Sequence, residues 1–255
     1  MKKALLLVAT LFVVCSCDFS NIFNRFVNGN GVPVDVPVAV SDFTSISSIG
    51  SIDVYYTQTT GAPSVVLTCD ENTADYYEVT VEQGVLKVAV KTGYVVVPKT
   101  KSYVTVNSAK LESVKLTGSG DCYVLGELIV DEDLDFTLSG SGNLECPGGI
   151  DCRSFQAKLT GSGNARINQL VARIVLLSSL GSGDISVNSV NASSVILACS
   201  GTGDANLGCD NVGKIDVTIT GSGNVTLTGR AGELKKKVTG SGRVNWKGLE
   251  VPEVD

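Results

Sequence analysis

Between Lys214 and Gly229 the chain reads KIDVTITGSGNVTLTG, in which Ile215, Val217 and Ile219 alternate with Asp216, Thr218 and Thr220. After the glycines, Val225 and Leu227 alternate with Asn224 and Thr226. An apolar residue at every second position marks a strand with one buried face, so the stretch predicts two strands joined by a tight turn. The same turn occurs seven times. Its glycines are Gly118 and Gly120, Gly140 and Gly142, Gly161 and Gly163, Gly181 and Gly183, Gly201 and Gly203, Gly221 and Gly223, and Gly240 and Gly242, with first glycines 19 to 22 residues apart. A repeat near 20 residues with two-residue alternation predicts an all-β solenoid, in which each coil buries its inner face against its neighbours.

Aligning the seven coils on the first glycine sorts the other residues into columns. Four residues on stand Cys122, Leu144, Ala165, Ile185, Ala205, Val225 and Val244; six on stand Val124, Cys146, Ile167, Val187, Leu207, Leu227 and Trp246. Two residues before stand Leu116, Leu138, Leu159, Ser179, Cys199, Ile219 and Val238. These apolar or small columns point inward, and stacking at strand spacing makes a rod on the order of 30 Å tall. Glycine fits where the chain leaves one sheet and enters the next, because it supplies positive φ and close backbone approach. The serines between the glycines, with Thr202, are expected to form a hydroxyl ladder to neighbouring backbone. A phosphate-cradling loop would need a helix start behind the glycines, and in its best-known form a lysine; neither is present. A calcium-binding roll repeats its glycine–aspartate motif every nine residues, not every twenty.

Composition narrows the function. The 255 residues include no histidine, which removes the commonest general base, serine–histidine triads and most zinc sites. A formal charge of −6 and a pI near 4.8, with no basic stripe, argue against nucleic acid as a partner. Lys2 and Lys3 precede an apolar run, Ala4 to Val14, too short for a stable membrane span, and the run ends in VVCSC. That ending resembles a bacterial lipoprotein signal, which implies a diacylglycerol on Cys17 and membrane attachment through the lipid. The expected organisation is a signal peptide over 1–16, a tether over 17–37, a β-helix over 38–250 and a tail over 251–255. Within the β-helix, 38–108 form amino-terminal cap coils and 109–250 the seven glycine-marked coils. SIGSIDVYYTQ (Ser48–Gln58) reads as a degenerate coil, and Tyr77–Lys91 as a hairpin turning at Gln83–Gly84. Trp246 is expected to close the end of its column, with Lys235, Lys236 and Lys237 on the last exposed strand.

FTSISSIGSIDVYYTQ, then GVLKVAV, then seven glycine turns in register resemble the head domain of putative auto-transporter adhesins, the GIN-domain family of Gram-negative gut bacteria. The resemblance covers about Val38 to Val244. It implies a right-handed parallel β-helix of pectin-lyase-like shape, a place in the cell envelope at the outer membrane, on its cell-surface or its periplasmic face, and an adhesive rather than catalytic role. It carries over no site residue. Adhesion implies a host or bacterial surface glycan or protein as partner, and homo-oligomers fit the same class. The alternatives are a polysaccharide-active enzyme of that shape and a purely structural scaffold. The best acidic candidates for an enzyme are Asp131, Glu132, Asp133 and Asp135 in DEDLDF, with Arg153 one coil on; alternate acids point apart, so a solvated corner is the expectation. No cofactor or metal site is expected.

Two features break the column pattern. Outward positions one, three and five before the first glycine are polar in most coils, but the fourth and fifth carry Leu180 and Leu176, and Ala198 and Ile196. Such an apolar strip is expected to be covered, either by the chain's own NIFNRFV (Asn21–Val27) or by a second protomer or ligand. Three residues after the first glycine, Asp121, Asn143, Asn164, Asp184, Asp204 and Asn224 form a second ladder. Stacked asparagines there can bond amide to amide, whereas Asp184 and Asp204 face one another on adjacent coils, about 5 Å apart, and either splay into water, as expected, or raise one pKa or recruit a cation. Six cysteines follow Cys17, yet Cys122, Cys146 and Cys199 fall in core columns, Cys152 in a small-residue column and Cys209 at a far turn. Cys122 and Cys146 are diagonal neighbours roughly 8 Å apart between α-carbons, beyond disulfide reach. Thiol titration of the unfolded chain without reductant should count six groups beyond Cys17; four or fewer would contradict the absence of disulfides.

Overall fold

The computed structural model describes residues 25–252, so the expected signal peptide, Cys17, the first part of the expected tether and the last three residues lie outside it. Parallel coils of about 20 residues stack into a β-solenoid of about seven turns. Each first glycine pairs with the first glycine of the next coil, from Gly118↔Gly140 to Gly221↔Gly240. In the later coils the ladder runs almost unbroken round the corners: Ala165–Gly181 pairs with Ile185–Gly201 along nearly its whole length. The three inward columns are buried from Leu116, Cys122 and Val124 up to Ile219, Val225 and Leu227.

The two glycines of each turn answer different demands. First glycines have φ from +119° to +144°, whereas the second glycines of the seven turns do not have positive φ. A Cβ on either would overlap the carbonyl of the matching residue one coil earlier, a glycine in every case but Ile52 beneath Gly120, well inside 3 Å. The opening coil shows that stacking causes this. SIGSIDVYYTQ forms it, with Ser45–Gly50 and Asp53–Gln58 parallel to Ser113–Gly118 and Cys122–Leu125. Gly50 keeps its positive φ of +108°, but a Cβ there would meet nothing within 4 Å. The second-glycine position is Ile52, buried against the core, because no turn lies beneath it.

The hydroxyl ladder is a correction. The carbonyl of each first glycine accepts two backbone N–H groups from the next turn, from the serine or threonine at 2.8–2.9 Å and from the second glycine at 3.0–3.3 Å. The hydroxyl side chains point to solvent, and Thr202 to Ser182 at 3.0 Å is the one hydroxyl pair along this column among the described residues. Where serine replaces leucine in the inward column, its buried hydroxyl is satisfied locally: Ser179 donates to the Gly183 carbonyl at 2.7 Å.

The amino-terminal cap also differs from a run of coils. Val85–Val90 and Tyr103–Ser108 continue the stack in parallel below the opening coil. Then direction reverses: Tyr77–Glu82 and Ser64–Asp70 add antiparallel strands, and Pro33–Val38 lies antiparallel on Ser64–Asp70. Residues 25–37 are therefore not tether, because Val34, Val36 and Val38 alternate toward the core and Arg25–Asn28 pairs with Tyr94–Val97. The hairpin turns at Gln83 and Gly84, both at positive φ. Asp70 locks the cap, its carboxylate accepting N–H bonds from Gly31 (2.7 Å), Lys99 (2.8 Å) and Thr100 (3.2 Å). Burial pushes its pKa up, but the backbone donors of Thr100, Lys99 and Gly31 outweigh this and hold it below the usual value.

At the far end Trp246 does not seal its column: the pairing slips between Thr226 and Thr228, which leaves Trp246 without an in-register partner and 43% exposed, whereas Leu249 on the same strand is buried. The Trp246 ring lies under the Lys236 ammonium at 4.3 Å, and Lys236 itself stands in the inward column beyond Val217. All six described cysteines are buried and unpaired, and Cys122 pairs with Leu144 rather than Cys146. Cys209 belongs to an inward column between Val190 and Gly229. Burial pushes the Cys122 and Cys152 thiols up to about 12 and those of Cys199 and Cys209 up to about 11.

Gly161→Ala should lower stability by about 2–4 kcal/mol, because it combines forbidden φ with overlap on the Gly140 carbonyl. Ser162→Ala, which leaves both backbone bonds in place, should change it by less than about 0.5 kcal/mol in the same urea titration. Equal losses for the two variants would contradict the division of labour.

Candidate functional site

The stacked turns are fully used in holding coils together, so the surfaces left for recognition are the outward faces. On the face before the turns, register sets Gln156, Leu176, Ile196 and Asp216 in one row. The next outward row is Lys158, Ser178, Ala198 and Thr218, and the last is Thr160, Leu180, Ser200 and Thr220. The strip expected from sequence is therefore an island two coils wide with polar coils on both sides. Leu180 and Ile196 are 42% and 44% exposed, and Leu176 and Ala198 are half-buried beside them. With Gln156 and Lys158 they line a shallow depression.

The internal cover expected from NIFNRFV fails where it can be seen. Arg25, Phe26 and Val27 pair with Tyr94–Val96 in the cap, and Phe26 is 71% exposed. Asn21–Asn24 lie outside the described residues.

The ladder three residues after the first glycine contains one amide-to-amide bond, Asn164 to Asn143 at 3.0 Å, but is held throughout by backbone N–H groups. It begins one coil earlier than the sequence count, at Asp53, whose Oδ1 accepts the Asp121 N–H at 2.8 Å. Asp121 Oδ1 accepts the backbone and side-chain N–H of Asn143, and Asn143 Oδ1 those of Asn164. The series continues through Asp184 and Asp204, each Oδ1 accepting the next backbone N–H at 2.7 Å, and reaches Asn224. The position demands an acceptor oxygen, which Asp and Asn supply equally. Asp184 and Asp204 are thus each engaged by backbone N–H donors. Arg243 departs from the pattern on the edge strand.

The acidic run lies on a corner where the pairing slips between Val130 and Asp133. Arg153 bridges Asp133 at 2.9 Å and Glu132 at 3.4 Å, and its hydrogen bond holds the Asp133 carboxyl below its usual pKa. Asp135 is taken by Gln156 and Thr137. These acids face solvent and neighbours rather than a shared point. Among the described residues no three His, Cys, Asp or Glu side chains converge on a metal-sized space.

An all-β coil stack with glycine corners and open lateral faces defines a parallel β-solenoid. The chain belongs to the family described as "Putative auto-transporter adhesin, head GIN domain", whose model matches residues 42–201 and again 170–255. The overlap follows from coils alike enough to align in two registers. A solved structure from Parabacteroides distasonis described as a "putative lipid binding protein" is 26% identical, covers 87% of this chain and 99% of its own, and has a TM-score of 0.73. A "putative adhesin" from the same species is 24% identical, with the same coverage and a TM-score of 0.74. One from Bacteroides fragilis is 20% identical, covers 86% of this chain and 99% of its own, and has a TM-score of 0.72. No curated protein matches the chain at a significant level.

Asp204→Asn should leave stability within about 0.5 kcal/mol, since the acceptor survives, whereas Asp204→Ala should cost about 1–2 kcal/mol by orphaning the Asn224 N–H. Calcium should leave the melting temperature unchanged. A large stabilisation by calcium or by Asp204→Asn would mean that carboxylate repulsion governs the ladder.

Proposed function

We propose that this protein is a non-catalytic binding protein of the cell envelope, held at the outer membrane through lipid on Cys17 and adhering by the side of its solenoid. The family description and the fold of the related structures support a place at the cell surface. The observation that carries the reading is the apolar island of Leu176, Leu180, Ile196 and Ala198 on an otherwise polar face. A soluble surface rarely leaves such side chains grouped unless something docks on them. The partner is a protein surface, and a second copy of the chain is one form it takes. The acidic corner favours an enzyme less: Asp133 and Asp135 are tied to Arg153, Gln156 and Thr137, while Asp131 and Glu132 line a separate small depression with Lys110 and Glu112.

Bacteria displaying the full chain should bind epithelial monolayers, and Leu176→Thr, Leu180→Lys and Ile196→Thr together should lower that binding at least tenfold with an unchanged melting curve. Cys17→Ser should release the protein from the membrane fraction. Adherence that survives the triple variant contradicts the island as the contact. Reducing sugar or unsaturated ends released from polysaccharide by the purified protein would instead favour an enzyme.

A further inference from the structure

The second outward face carries a different chemistry. Five residues after the first glycine stand Tyr123, Glu145, Arg166, Ser186 and Asn206, each paired in register with the next. Two residues further along the strands stand Pro147, Asn168 and Asn188 on the same side. Glu145, Pro147, Arg166, Asn168, Ser186 and Asn188 line an open groove of about 440 Å³ that crosses the strands in the direction of stacking. The same column count that located the apolar island places these residues, but singly each reads as an ordinary solvated strand residue.

We infer that this groove binds a neutral polysaccharide chain laid along the coil axis. Arg166 donates to Glu145 at 2.7 Å, so a planar donor and a carboxylate acceptor sit side by side on adjacent coils. Adjacent hydroxyls of a sugar ring present a donor and an acceptor with similar spacing, and the pair's cancelled charge gives an anionic chain no advantage. One coil along, Asn188 donates to Asn168 at 3.1 Å. That bond uses one donor and one acceptor site of two amides, leaving the rest of each for a ligand. Successive coils set these polar groups about 4.8 Å apart along the groove, Glu145, Arg166 and Ser186 in one row and Asn168 and Asn188 in the next, a spacing roughly that of one pyranose in an extended chain.

A fixed aromatic stands one coil beyond the Glu145 end of the groove. Tyr123 is paired with Glu145 on one side and stacks on Tyr55 on the other, with centroids 4.7 Å apart and planes 7° from parallel. Its hydroxyl is fixed on Asp121 at 3.2 Å. The ring is therefore held in place before any ligand arrives, and it offers the apolar C–H face of a terminal sugar a flat wall without an ordering cost. Polar side chains that recur and an aromatic wall suit a hydroxyl-rich, uncharged ligand better than a protein, which needs a continuous apolar centre.

This inference rests on the reading of the chain as a surface-binding protein and is tested separately from it. The full chain is run by native electrophoresis in gels containing galactomannan, mixed-linkage β-glucan or, as the acidic comparator, polygalacturonate. At least one neutral polymer should retard it. Arg166→Ala should weaken that retardation roughly tenfold and Asn188→Ala severalfold, as expected for losing a charged and a neutral hydrogen-bonding partner. Thr218→Ala on the opposite face should leave it unchanged, and all three variants should melt like the parent. No retardation by either neutral polymer, retardation by polygalacturonate alone, or retardation that survives both groove substitutions overturns the inference. A chain that adheres to cells through its apolar island yet ignores these polymers overturns the groove alone.

Discussion

One carbonyl per coil fixes this molecule. The first glycine of each turn offers its oxygen to two N–H groups of the next turn, and that close approach leaves no room for a Cβ at either glycine position. Each of these bonds is worth only about 0.5–1.5 kcal/mol net, so their weight lies in geometry. Because corners must superimpose, the coil length is held near 20 residues and every other residue is locked to a column. Alternation then decides which columns face the core, and the acceptor ladder of Asp and Asn fastens the same corner from its outer side.

This arrangement separates stability from recognition. Interior columns and corners are consumed by stacking, whereas residues on the outward faces change with little consequence for the fold. The apolar island and the polar groove lie on different faces of neighbouring coils, so the two proposed contacts do not compete for the same surface. The ends are handled by other means: antiparallel strands and the buried Asp70 close the amino-terminal end, and the Lys236–Trp246 contact partly covers the other.

The coil stack was legible because its signal is local and repeated. Seven turns in register placed the core columns, the opening coil at Ser48–Gln58 and the outward island before any coordinates. The cap was not legible for the opposite reason. Gly50 stacks on Gly118, 68 residues later, and nothing near either glycine records the excursion between them. The alternation in PVDVPV carried the information that residues 33–38 are a strand, but its two prolines and the neighbouring glycines outweighed it. Trp246 leaves its column because the last strand slips register between Thr226 and Thr228, a local irregularity that counting from the glycine does not reveal. The serine hydroxyls were credited with bonds that the backbone makes, since sequence shows side chains and hides peptide groups. Groove residues such as Arg166 and Asn188 follow from column position, yet only the structure shows them pairing with Glu145 and Asn168.

The central claim is that the glycine corners, though exposed, are the rigid spine of the fold. Amide hydrogen exchange on the native protein tests it residue by residue. The N–H groups of Ser141, Ser162, Ser182 and Ser222 should exchange as slowly as those of the buried strand residues Leu138 and Leu159, despite their exposed side chains. Exchange as fast as that of the hairpin turn at Gln83–Gly84 would contradict it.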